Sequence, residues 1–123
     1  DVLSSIESEI ALDATMQGFT ADTLSALYGI SSADMLQFAG AYTGVGILAD
    51  EIIMIQAKDA AAADSLEQAV KARYDKKLAE MKDYLPAEYD KILQSSVLRK
   101  GNYIALFVSS EQARMTEVYD AAF

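Results

Sequence analysis

Three stretches of the chain alternate or cluster apolar residues in a way that only strands satisfy, and they set the frame for everything else. In residues 103–109, Ile104, Leu106 and Val108 point one way and Tyr103, Ala105 and Phe107 the other, so both faces are apolar. Ile52, Ile53, Met54 and Ile55 follow one another in residues 50–57 with the same consequence. Residues 37–44 are rich in Gly and aromatic residues and read as a third strand, joined to the second through a loop or bulge near Gly44-Val45-Gly46. A fourth strand is expected over residues 95–100, with Gly101-Asn102 as a tight turn into Tyr103.

The 3.6-residue period takes over between the strand pairs. Ala62, Leu66, Ala69, Val70, Arg73, Tyr74, Leu78, Met81 and Leu85 form one stripe over residues 60–84. Leu85-Pro86 ends that helix, and Pro86 suits the first turn of a short helix over 86–93. Ser109 and Gln112 have capping-box spacing for a last helix with Met115, Val118, Tyr119 and Ala122 as its stripe. At the other end, Val2, Ile6, Ile10 and Ala14 predict a helix over 1–17. A second short helix is expected over 21–28, started by Thr20 or Asp22 and stopped at Gly29, and a third helical turn runs from Ser31–Asp34 into Met35 and Leu36.

The expected fold is therefore α+β and a single domain, residues 1–123. Residues 1–36 form a helical N-terminal segment. Residues 37–123 form a core in β-β-α-β-β-α order, a four-stranded antiparallel sheet with helices packed on it. If the helices share one side, the second sheet face needs a cover, because an apolar patch of that size is not left in water. Residues 1–30 are the favoured cover; a second copy, or a ligand or partner protein, are the others.

Composition narrows the function. The chain has 123 residues, 52% of them apolar, and a net charge of −9 from 19 acidic and 10 basic residues. That balance argues against nucleic acid, whose binders cluster Lys and Arg against phosphates. The chain has no Cys and no His, which removes thiol chemistry, the commonest general base near neutral pH and the commonest transition-metal ligand. No apolar run approaches the roughly 20 residues that cross a bilayer.

Geometry limits the candidate sites. Asp50 and Glu51 are adjacent in a strand, so their carboxylates diverge; a lone Glu51 facing a pocket is what survives of a cation or acid–base site. The glycines at 40, 44 and 46 lead into a strand with no Lys until Lys58, unlike a phosphate cradle. Tyr42, Tyr103 and Phe107 could share the non-helical sheet face as a stacking platform for a sugar or peptide, against the plainer reading of packing. The paired serines lack the strained elbow of a nucleophile. No catalytic, cofactor or metal residues are assigned; Tyr42, Glu51, Tyr103 and Phe107 are the candidate binding residues.

The segments "DYLPAEYDKIL" and "VLRKGNYIALFVSS", with "ADE" ahead of Ile52-Ile53 and the charged helix from Val70 to Lys77, resemble a family of small, uncharacterised lipoproteins of clostridial-type Gram-positive bacteria that carry one domain of unknown function. The resemblance covers residues 20 to 123. It implies an extracytoplasmic domain tethered to the membrane through a lipid anchor that is not in this chain, and supplies no activity. The reading that follows is a non-enzymatic module, monomer or homodimer, that binds a protein or a cell-envelope component. The alternative is a small-molecule carrier with an apolar pocket between the sheet and the N-terminal helices.

Overall fold

A computed structural model describes Leu3, Ile6, residues 16–43 and residues 49–122. The described chain runs β1 (Met16–Gly18), α1 (Ala21–Tyr28), a 3-10 turn (Ser32–Asp34), β2 (Met35–Thr43), β3 (Glu51–Ala57), α2 (Ala60–Met81), α3 (Pro86–Leu93), β4 (Val97–Lys100), β5 (Tyr103–Val108) and α4 (Gln112–Ala121). The sheet is antiparallel, in the order β1-β2-β3-β5-β4.

This corrects the four-stranded β-β-α-β-β-α expectation. The fifth strand is Met16–Gly18, which pairs with Ala41–Thr43, so Met16 and Gln17 do not belong to an N-terminal helix. Leu3 and Ile6 are helical; the rest of residues 1–15, and the expected Gly44–Gly46 loop, lie outside the described residues. Met35 and Leu36 are strand rather than helix. The short helix expected over 86–93 is present as α3, between α2 and β4, a place that the β-β-α-β-β-α order leaves out.

The doubly apolar strands are explained by where they sit. β3 lies at the centre, with β2 on one side and β5 on the other, and every one of its residues but Gln56 is buried. A strand covered on both faces has no reason to alternate. One face carries Ile53, Ile55, Ala57, Ile104, Leu106 and Val108 against Leu24 and Tyr28 of α1, Leu66 and Val70 of α2, and Ile92 of α3. The opposite face carries Ile52, Met54, Ala105 and Phe107 against Leu3, Ile6, Met115 and Tyr119. Its cover is therefore shared by the N-terminal Leu3 and Ile6 and the C-terminal helix α4, while α1 goes to the other face. Helices lie on both sides of the sheet.

The local signals that set the boundaries are visible. Asp59 caps α2, its Oδ1 accepting from the Ala62 N–H at 2.7 Å. Pro86 opens α3, where its missing N–H costs nothing. Ser109 does not form the expected box with Gln112; its hydroxyl accepts from the Glu111 N–H at 3.1 Å instead, and α4 starts three residues on. α1 is held at both ends. Thr20 and Thr23 satisfy each other's backbone N–H at 3.2 and 2.7 Å, and Gly29 closes the helix in a left-handed conformation, φ 68°. Thr20→Ala removes one half of this cap, and a loss of about 1 kcal/mol in urea unfolding is expected.

Candidate functional site

Glu51 is the first residue of β3, and its place in the register puts it on the face that carries Ile53 and Ile55, towards α1 and α2. It is 1% exposed. An isolated carboxylate there would be very costly, so the fold brings partners to it. Arg73 of α2 meets it with two hydrogen bonds, Nη2 to Oε1 at 2.9 Å and Nε to Oε2 at 3.1 Å. Lys77, one helical turn later, places its Nζ 3.2 Å from Oε1. The Tyr28 hydroxyl, at the end of α1, donates to Oε2, and the Arg73 guanidinium lies 5.8 Å from the centre of the Tyr28 ring.

The network continues beyond Glu51. Lys77 Nζ donates to the Ala49 carbonyl at 3.0 Å, while the Ala49 N–H donates to Glu88 Oε1 at 2.8 Å. Lys91 joins Glu88 at 3.0 Å and Asp50 at 2.6 Å. Arg73, Lys77 and Lys91 thus face Glu51, Glu88 and Asp50. Together they pin residues 49–51, where the chain enters the central strand, to α2 and α3.

The electrostatics follow from burial opposed by pairing. Burial alone would raise the Glu51 carboxyl; the Arg73 hydrogen bonds, the nearby Lys77 and the Tyr28 hydroxyl outweigh it and hold the group below its usual range. Burial pushes the Tyr28 hydroxyl well up, and the Glu51 charge adds to this, so it stays protonated and donates. Burial lowers Lys77, and the opposing pull of the Glu51 charge does not overcome burial and the neighbouring Arg73 together. Glu88 is lowered and Lys91 raised, in each case because hydrogen-bonded partners overcome the effect of burial. Glu51 is ionised, enclosed and committed to three donors, an arrangement suited to fixing structure and unsuited to accepting a proton from a substrate.

The four candidate residues do not converge. Tyr42 is the cross-strand neighbour of Glu51 on the same face, its ring 4.9 Å from Phe19 and its hydroxyl donating to Gln17 Oε1 at 3.2 Å. Tyr103 and Phe107 lie on the opposite face. Phe107 is enclosed and packs edge-on against Tyr119, ring centres 5.7 Å apart, so it is no platform for a ligand. Sequence reasoning missed Tyr28, Arg73 and Lys77. One signal was present: Arg73 stands inside the apolar stripe of α2, where a cation needs a buried anion opposite it.

The surface offers a different feature. A groove of about 330 Å³ is lined by Ser32, Met35, Leu36, Gln37 and Phe38, where β2 begins. A second, of about 370 Å³, lies between α1 and the 3-10 turn and includes Asp22, Gly29, Ile30 and Ser32. Leu36 stands out at 64% exposed, the most exposed of the large apolar side chains described. It is the extra residue of a β-bulge: Met35 pairs with Ala57 and Gln37 with Gln56, leaving Leu36 without an opposite number. Among the described residues, no group of acidic side chains is arranged to hold a metal ion, and no helix is long and apolar enough to cross a membrane.

No curated protein and no solved structure matches the chain. Residues 8–109 match the profile described as Domain of unknown function (DUF4358), and the chain belongs to that family.

Proposed function

We propose that this domain is a non-enzymatic binding module that works outside the cytoplasm, carried by a lipoprotein and directed at a protein or an envelope component. The observation that carries it is the contrast between its buried charged cluster and its open apolar groove. The charged cluster at the head of β3 is enclosed, and its members are paired with one another around Glu51. The open groove of Met35–Phe38 and the exposed Leu36 beside it are built from apolar and neutral side chains and backbone. Such a surface can hold a partner, and the described residues that line it include no charged acid or base for proton transfer. The lipoprotein part rests on the "DYLPAEYDKIL" and "VLRKGNYIALFVSS" resemblance. A carrier role has less support, because the space between the sheet and α1 is filled by Leu24 and Tyr28.

Co-sedimentation with cell-wall sacculi and with solubilised envelope proteins of a Gram-positive bacterium tests the reading. The domain is expected in the bound fraction, and Leu36→Ala is expected to stay in the supernatant with its fold intact. Retention of neither form on any envelope fraction would remove the proposal.

A further inference from the structure

We infer that the outer edge of β2 over Met35–Ala39 is a docking site for an extended, basic segment of a partner polypeptide, which adds to the sheet as a sixth strand. The inference deepens the binding-module reading and rests on it.

β1 is three residues long and covers only Ala41–Thr43 of the nine-residue β2. Its cover ends where Phe19 donates its N–H to the Gly40 carbonyl at 3.1 Å, after which the chain turns away into α1. That bond shows that the Gly40 carbonyl faces outwards. Thr43, an odd number of residues away, donates inwards across the β2–β3 connection to Asp50 at 2.9 Å. Backbone groups alternate along a strand, so the N–H and C=O of Phe38 also face outwards. Among the described residues no strand reaches them. The side chains around this open edge form the 330 Å³ groove, and the bulge turns Leu36 out beside it.

The sheet's other edge is treated differently. β4 has four residues and ends in Arg99 and Lys100. Arg99 is tied across to Asp64 at 2.5 Å and Glu67 at 3.2 Å, and Lys100 to Asp120 at 3.2 Å. A short, charged edge is the usual protection against unwanted pairing. Met35–Ala39 carries no charged residue.

Charge and size choose the occupant. Five residues of edge span about 17 Å. Pairing two copies over that length falls short of the ~1,200–2,000 Å² that a stable interface buries, and each copy carries a net charge of −9. Asp34, just before the edge, is paired with Lys58 at 3.6 Å, and Asp22 lines the adjoining groove. A single extended segment with Lys or Arg on one side, and an apolar side chain for the groove, meets backbone, groove and field together.

The test is an NMR titration of the full chain with a capped peptide of about eight residues alternating Lys and Val, a length typical of strands. Amide shifts confined to Met35–Ala39 are expected, with exchange of the Phe38 amide slowed about tenfold at saturation. A peptide N-methylated at alternate amides keeps its charge but loses the donors on one edge, and one of the two methylation registers should bind about tenfold more weakly. Leu36→Lys, at an exposed position, should weaken the unmodified peptide by a similar factor. Equal binding of both N-methylated registers and the parent, shifts scattered over the acidic surface or centred on Val97–Lys100, self-association through the β2 edge, or no shift at about 1 mM peptide would each overturn strand addition. If the peptide fails while envelope fractions still retain the domain, strand addition falls and the module reading stands. If the peptide binds with the expected signature while envelope fractions do not retain the domain, the docking site stands and the envelope assignment falls.

Discussion

Gly40→Ala is expected to prevent the domain from accumulating in soluble form, or to lower its melting temperature by about 15 °C. Gly40 has φ 140°, a conformation that side chains with a Cβ rarely adopt. It also sits against the central strand, opposite Ile53, so that a Cβ would land on the Ile52 carbonyl. Moving β2 away is not an easy escape, since the Gly40 carbonyl is the acceptor for Phe19 at the point where the chain leaves β1 for α1. Strain at such a position costs about 1–3 kcal/mol, and the collision with backbone adds to it. A total near 4 kcal/mol is a large part of the roughly 5–15 kcal/mol that holds a domain folded. Gly18→Ala is the control: it lies in the same sheet with nothing within 4 Å of the added carbon, and near-wild-type melting is expected. Thermal unfolding of the two variants side by side decides the matter, and a Gly40→Ala protein that melts within a few degrees of wild type would refute the argument.

How far the sequence discloses this fold depends on whether the information is local. β3 and β5 are plain in the sequence because β-branched and aromatic residues concentrate there, and the start and stop of α1 are written in Thr20 and Gly29. β1 is not, because Met-Gln-Gly has no period of its own and becomes a strand only through the edge of β2. The placing of helices on both faces is equally hidden. The stripe of α4 says that Met115 and Tyr119 are buried, but both sheet faces are apolar and either could receive them. Glu51 stood out as a carboxylate at the head of an apolar strand. Its partners did not, because Tyr28, Arg73 and Lys77 lie 23, 22 and 26 residues away on other elements, and only the packing of α1 and α2 over the sheet brings them to one point. The β2 edge was hidden for the converse reason: an open edge is defined by where another strand ends.

Glu51→Gln should be the most damaging change in the charged network, by about 3–5 kcal/mol at pH 7. It leaves Arg73 and Lys77 side by side under the sheet, with side chains only 12% and 9% exposed and no anion between them. Arg73→Met is milder, because Lys77 still faces the carboxylate. Replacing Glu51, Arg73 and Lys77 all by Met removes the three charges that meet at Glu51 and should cost less than Glu51→Gln alone, since a buried ion cluster owes more to mutual compensation than to net stabilisation. The pH dependence follows from the same geometry. The Glu51 and Glu88 carboxyls are held below their ordinary range in the folded chain, so the unfolded chain takes up protons first as pH falls. Their contribution is therefore whole above the unfolded carboxyl pKa of about 4.3 and disappears as pH drops through the lower folded values. The gap between wild type and Glu51→Gln in urea unfolding should accordingly be widest near neutrality and narrow as pH falls below the ordinary carboxyl range and wild-type Glu51 itself takes up a proton. A gap that stays constant over that range would mean that Glu51 is not the ionised centre of the network, and a Glu51→Gln protein as stable as wild type at pH 7 would mean that Arg73 and Lys77 reach solvent on their own.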